Sequence, residues 1–204
     1  MASFDNALTR ERLVQAGRII VVDDEEPLLI EELRKEGFAV EHDKTGNDVH
    51  NLENQIYDVA ILDYHGVGQR LGPSQGLDLL KHIRRVSPRT RLVAYTSRSL
   101  NASEAEFFRL SHAVLPKDLG LCDSLALVEG ELRKSFEKEH LFEAMLAKLS
   151  IADPQQKDRI RAALVRSLGR GDEQRFKEKL TRLAGKTAEK AVEIIISKLF
   201  FGKP

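Results

Sequence analysis

Arg18-Ile-Ile-Val-Val-Asp23-Asp24-Glu25-Glu26-Pro27 joins two opposite characters in ten residues. Ile19 to Val22 is an unbroken apolar run, too short for a helix and rich in β-branched side chains. It predicts a strand buried on both faces, as at the centre of a parallel sheet. The run stops at four carboxylates and a proline, which puts dense negative charge at the carboxyl end of a buried strand. Open α/β sheets bind their ligands at that edge. Four adjacent acids repel one another, so either they splay into water as an ordinary loop or some of them hold a cation.

Working outward, 204 residues leave room for one domain of roughly 100 to 150 residues and a smaller unit. A hydrophobic fraction of 42% is enough for a real core. Lys plus Arg and Asp plus Glu both number 32, so total charge excludes no partner, but the charge is unevenly placed. Residues 151–204 hold 13 Lys or Arg against 7 Asp or Glu, a net of +6, and residues 1–150 carry the balancing −6. Cys122 stands alone, which rules out an internal disulfide and fits a reducing compartment. Met1 to Gly17 has no apolar signal core, and no stretch has the roughly 18 apolar residues a membrane span needs. The expectation is a soluble cytoplasmic protein with no membrane partner.

Strand-like and helix-like patterns then alternate. Leu28, Leu29, Ile30, Leu33 and Phe38 mark an amphipathic helix ending near Gly37, and Phe38 to Glu41 reads as a second strand. Gly46 to Asn54 suggests a weak helix. Asp58-Val-Ala-Ile-Leu-Asp63 repeats the opening design, an apolar run closed by a carboxylate. Ser74 to Val86 is helical, with Pro88 just beyond its end. Leu92-Val-Ala-Tyr-Thr96-Ser97 predicts a fourth strand, Ala105 to Leu110 a helix and Ala113 to Leu115 a fifth strand, closed by Pro116-Lys117. Five βα repeats imply an α/β fold, a five-stranded doubly wound parallel sheet with right-handed crossovers.

The residues just past the apolar runs are Asp23 and Asp24, then Asp63, Thr96 and Lys117. In a parallel sheet these ends share one edge. Singly, Asp63 reads as a turn former, Thr96 as a helix cap and Lys117 as a surface charge. Together, three carboxylates supply the oxygen ligands a hard cation such as Mg²⁺ requires, and a lysine and a hydroxyl can neutralise a phosphoryl group. This is equipment for phosphoryl transfer, where a protein mainly positions groups and stabilises charge.

In that order and at that spacing, the five groups resemble the receiver domains of two-component response regulators, over about Arg18 to Leu132. The resemblance implies a flavodoxin-like receiver fold in which Asp63 accepts a phosphoryl group from a histidine kinase or histidine phosphotransfer protein. It implies that Asp23, Asp24 and Asp63, with the backbone carbonyl of His65, hold Mg²⁺. Thr96 would bond the phosphoryl oxygen and Lys117 would pair with Asp63 or its phosphate. The new charge would then bias a two-state surface.

The sequence also departs from the family's pattern. The loop Tyr64 to Gln75 is several residues longer than usual, and reads either as a lid or as a flexible insertion. Val114 stands three positions before the lysine, where the family has an aromatic. Tyr95 is no substitute by alternation, since strand neighbours face opposite ways. Pro116 precedes Lys117 where the family more often has a proline after it. His65 and Arg98 lie two residues beyond the acceptor and the threonine, positions that in the family tune phosphoryl loss, so an unusual lifetime is expected.

Past the receiver, Ser124 to Ser150 reads as one long helix extending outward. Asp153-Pro154 opens a second helix to Leu168, Asp172 a third to Ala184, and Ala188 to Phe201 forms an apolar last one. That last helix is either the core of a small bundle or a docking helix for a partner chain. The domain reading is an N-terminal extension over 1–17, a receiver over 18–132, an extended helical linker over 133–150 and a basic all-α module over 151–204. Its expected output is protein interaction or self-association, as a dimer for example. Nucleic-acid binding is the alternative, since the charge permits it but no helix-turn-helix pattern stands out. Phosphatases of the haloacid dehalogenase type also combine an aspartate nucleophile, Mg²⁺, Thr and Lys. They begin with the nucleophile Asp-x-Asp, however, and Asp63-Tyr-His65 lacks the second acid, so turnover as an enzyme is not expected.

Overall fold

The computed structural model describes residues 8–47, 50–54, 56–97, 104–184 and 190–201. Its chain divides into two compact units, Thr9–Ser135 and a helical unit containing Phe136–Pro204.

The first unit is built on five strands: β1 (Arg18–Val22), β2 (Ala39–Asp43), β3 (Val59–Asp63), β4 (Arg91–Thr96) and β5 (Ala113–Pro116). They form one wholly parallel sheet in the order β2-β1-β3-β4-β5. The centre is as apolar as the sequence predicts: Ile19, Val21, Val22 and Val59 to Leu62 have no exposed surface. Strands buried on both faces need helices on both, and the chain supplies them as α1 (Arg10–Ala16), α2 (Leu28–Lys35), α3 (His50–Glu53), α4 (Gly76–Val86), α5 (Ala105–Leu110) and α6 (Leu121–Ser135). On one face, Ile20, Val22, Ala60 and Leu62 pack with Leu79, Leu80 and Ile83 of α4 and Phe107 of α5.

Register brings the strand ends together. Val22 pairs with Leu62, so the next residues on each strand, Asp23 and Asp63, are neighbours at the carboxyl edge. Asp63 pairs with Tyr95, and Thr96 with Pro116, which puts Lys117 one step past the end of β5.

The expected N-terminal extension over 1–17 is instead part of this unit from Thr9 onward. Thr9 caps α1 by accepting from Arg12 N, and Arg10 reaches Glu36 at 2.6 Å and Glu129 at 3.0 Å. A Cβ on Gly17 would collide with Leu132 of α6, so the turn into β1 is closely packed.

The single helix expected over 124–150 is also corrected. It breaks at Phe136-Glu137, where Glu137 takes an extended conformation (φ −60°, ψ 125°) before α7 (Lys138–Lys148). Tertiary packing decides this, because Phe136 is buried, 6.0 Å from the Phe201 ring and under the Lys198 ammonium. Residues 138–148 are therefore no linker. Leu141, Phe142, Met145 and Leu146 of α7 lie in the core of the helical unit, with α8 (Pro154–Arg170), α9 (Glu173–Ala184) and α10 (Lys190–Phe200). Asp153 caps α8 through Gln156 N, and Gly171, at φ 67°, ends it in the left-handed conformation. Val192, Ile195, Ile196 and Leu199 of α10 face this core, which is the plainer of the two roles expected for that helix.

At the sheet's amino edge Asp58 and Arg89 form an ion pair with no exposed surface on either partner. Asp58 also accepts Arg18 N at 2.9 Å, and its own N–H and C=O bond β1 and β4. Such pairs add little over an apolar substitute, but one partner left alone is an uncompensated buried charge. Arg89→Met should therefore lower the unfolding free energy by about 3 to 5 kcal/mol in urea denaturation. A loss under about 1 kcal/mol, as for an exposed pair, would contradict the burial.

Candidate functional site

Four of the residues singled out in the sequence meet at the carboxyl edge. Lys117 Nζ stands 2.7 Å from Asp63 Oδ2 and 2.8 Å from Asp23 Oδ2. Oxygens of Asp23, Asp24 and Asp63 lie within 4.8 Å of one another. Asp23 has no exposed surface and Asp63 only 8%, whereas Asp24 faces solvent. The acidic run thus divides its work, one acid buried in the site and the next at its rim.

Short local bonds hold these side chains. Asp23 Oδ1 accepts Glu25 N at 3.0 Å, and the His42 ring meets the Asp23 carbonyl at 2.8 Å. Asp63 Oδ1 accepts Tyr64 N at 2.6 Å, leaving Oδ2 to the lysine. Asp23 Oδ2 is different, because the ammonium is close but off its hydrogen-bonding direction. This buried oxygen has an ionic neighbour and no aligned donor.

Burial by itself would lower the Lys117 pKa, but the contacts and charges of Asp23 and Asp63 outweigh it and hold the ammonium well above the ordinary lysine range. Three carboxylates against one ammonium leave a net of two negative charges. The residues fit a small divalent cation on three counts: the donors are all oxygen, one is buried without an aligned donor, and the charge matches. Oxygens on one Mg²⁺ at about 2.1 Å stand roughly 3 to 4.2 Å apart. Carboxylates already within 4.8 Å need only rotamer adjustment to share one.

The long loop after Asp63 is a built structure. Val67 is fully buried, Gly66 N donates to Gln75 Oε1 at 2.9 Å, and Gly68 N donates to the Thr45 carbonyl at 2.7 Å. Gln75 pays for its side-chain bond with a left-handed φ of 52°, just before α4. Gly66, at φ +74°, lies so close to Asp24 that a Cβ there would strike the carboxylate. The flexible insertion considered from sequence is thereby replaced by a tied loop that walls the site.

The remaining expected residues stand further out. Thr96 ends β4, and its carbonyl accepts Lys117 N at 2.6 Å. The His65 ring turns away to Glu104 Oε1, 3.2 Å distant, and Arg98 lies outside the described residues. Val114 is 36% exposed. Tyr95 does face away from Thr96, as alternation requires, but its side is the site's side. Lys117 Nζ lies 5.0 Å from its ring centroid, an arrangement the sequence reading missed. Burial raises the Tyr95 pKa, Lys117 opposes that, and Asp23 and Asp63 add to it. Glu104, a buried acid beneath His65, also went unnoticed, since nothing in Ser103-Glu-Ala-Glu distinguishes it from a surface helix start.

A parallel sheet ordered 2-1-3-4-5 with helices on both faces has solved counterparts. NtrX from Brucella abortus, in complex with ATP, aligns with a TM-score of 0.52 at 18% identity, over 75% of this chain and 35% of NtrX. The five-stranded sheet and its flanking helices have the receiver fold. A CheY-like receiver domain protein from Methanospirillum hungatei aligns with a TM-score of 0.49 at 21% identity, over 58% of this chain and 95% of its own. In sequence, the alginate biosynthesis transcriptional regulatory protein AlgB of Pseudomonas putida is 30% identical over 139 residues, 58% of this chain and 30% of AlgB. The chain spans about a third of the length of AlgB and of NtrX. No family model matches it.

Two measurements probe the receiver's site. Gly66→Ala should weaken Mg²⁺ binding by at least about tenfold in calorimetric titration with the fold intact by circular dichroism, because the methyl displaces Asp24 and φ is positive. Unchanged affinity would remove Asp24 from the site. Lys117→Met should destabilise the metal-free protein by about 1 to 3 kcal/mol by leaving two carboxylates without their cation, and added Mg²⁺ should restore most of the loss. The Lys117 pKa is raised in the folded state. Its contribution is therefore complete below the unfolded value, about 10.4, and disappears only as pH rises through the higher folded value. A difference between parent and variant that persists unchanged far into alkali would contradict the pairing.

Proposed function

We propose that the chain is a response regulator whose Asp63 accepts a phosphoryl group from a histidine kinase or a histidine phosphotransfer protein. The observation that carries this reading is the meeting of Asp23, Asp24 and Asp63 with Lys117 at one sheet edge. Asp63 Oδ2 would form the new P–O bond while the donor's P–N bond breaks, and Lys117 would follow the charge from carboxylate to phosphoryl oxygen. Asp23, Asp24 and Asp63 would hold Mg²⁺, which when bound neutralises phosphoryl oxygens. The His65 carbonyl is the further ligand the family resemblance implies. Thr96, at the end of the neighbouring strand, would take a phosphoryl oxygen and carry the change to the surface. The reading is of a phosphoacceptor in the cytoplasm that loses its group by its own chemistry, rather than of an enzyme acting on other substrates. In keeping with that setting, no described helix is long and apolar enough to cross a membrane.

Output would pass to the C-terminal helices. Since α10 packs its apolar residues into its own bundle, association with a protein partner or a second copy would use other surfaces of these helices. The name of AlgB, a transcriptional regulatory protein, favours the alternative of DNA binding.

Exposure to acetyl phosphate with Mg²⁺ should add the mass of one phosphoryl group, and Asp63→Asn should abolish the addition. Labelling that survives this substitution would overturn the assignment. In the same assay His65→Asn should change the decay rate of the labelled protein, since His65 lies two residues past the acceptor and its ring is anchored by buried Glu104. An unchanged rate would free His65 of that role.

A further inference from the structure

The helical unit carries a groove of about 380 Å³ between α8 and α9, lined by Arg159, Arg166, Lys179 and Arg182 over a floor of Ala162, Ala163 and Leu183. Periodicity builds it. Arg159, Arg166 and Arg170 recur at i, i+7 and i+11 on α8, and Arg175, Lys179 and Arg182 at i, i+4 and i+7 on α9. Each set makes one stripe of its helix. The alanines between the stripes leave the space a larger side chain would fill.

Among the described residues, none of these six cations has a carboxylate partner, whereas three cations elsewhere on the unit do. Lys157 and Arg161 pair with Glu139 and Glu143, and Lys177 with Glu173. The acids of α8 and α9 are largely committed too. Asp153 and Asp172 accept from helix starts, Glu173 holds Lys177, and Asp158 acts on Arg161, leaving Glu178 as the remaining one. Consistent with crowding of like charge, the Lys179 pKa is lowered, first by desolvation and then by Arg175, Arg166, Arg170 and Arg182.

Keeping six like charges together without counter-ions costs stability, so the arrangement calls for an anion. Its length selects a polymeric one. Eleven residues of α8 span about 16 Å, roughly five successive phosphates of one duplex strand. Five of the six cations are arginines, the side chain suited to phosphate forks. The floor offers no aromatic anchor of the kind protein interfaces centre on, and no ring on which an unpaired base would stack.

We propose that the groove between α8 and α9 binds the phosphodiester backbone of duplex nucleic acid, without base readout, through Arg159, Arg166, Lys179 and Arg182. Binding here does not require phosphorylation of Asp63, so this assignment and the phosphoacceptor reading stand or fall separately.

The test is fluorescence anisotropy of the full chain with a short mixed-sequence DNA duplex across a salt series. Four phosphate contacts predict a log–log salt slope of about −3.6. Arg166→Glu with Lys179→Glu should reduce that slope by about two and weaken binding at low salt by at least about tenfold. The neutral pair Arg166→Gln with Arg182→Gln, checked by circular dichroism, should show the same loss if charge reversal impairs folding. Lys177→Gln, which removes a paired cation outside the groove, should leave binding unchanged. No binding by the parent chain, or unaltered binding by the folded groove variants, would overturn the proposal. So would displacement of the duplex by poly-glutamate at equal charge, which would point to an acidic protein partner.

Discussion

The Lys117 ammonium, wedged between two carboxylates at the end of a parallel sheet, is the contact on which the first unit's acidic site depends. Asp23 and Asp63 are side by side because β1 and β3 are in register, which brings two nearly buried acids to one lysine. Without a cation their repulsion would oppose the strand pairing that makes the core. With one lysine the site is tolerable yet still two charges short of neutral, a shortfall that matches the charge of a divalent ion. Stability and function are in tension at this edge, and the lysine sets where the compromise falls.

The other sheet edge solves a similar problem in the opposite way. Asp58 and Arg89 are matched one to one, with no exposed surface and with backbone bonds from β1 and β4 closing round the acid. A matched pair with a donor on each carboxylate oxygen is a fixture, while an unmatched cluster with a buried oxygen lacking an aligned donor has room for a further cation. The first unit places one at each end of its strands. The contrast distinguishes a structural charge from a chemical one without reference to any relative.

The helical unit follows the same logic on its surface. Cations near α7 are paired with glutamates across the helices, but the two stripes flanking the α8–α9 groove are not. The basic excess of residues 151–204 was plain from composition, but composition spreads it evenly over three helices. Helical phase gathers six of those charges on one face and leaves the apolar residues of α10 inside.

The sequence by itself determined the sheet and the identity of the groups along its edge. An apolar run closed by a polar residue is a local pattern, and parallel strands can align such runs in only one direction. It did not determine that Thr9 to Gly17 belongs to the receiver unit, that the helix after Leu132 breaks at Phe136, or that the loop from Tyr64 to Gln75 is tied down by Thr45 and by its own glutamine. Nor could it place Tyr95 beneath Lys117 or Glu104 beneath His65. Those facts depend on contacts between residues far apart in the chain, where packing overrides helix propensity and loop composition. Only the tertiary structure decides which distant side chain fills the space a local pattern leaves open.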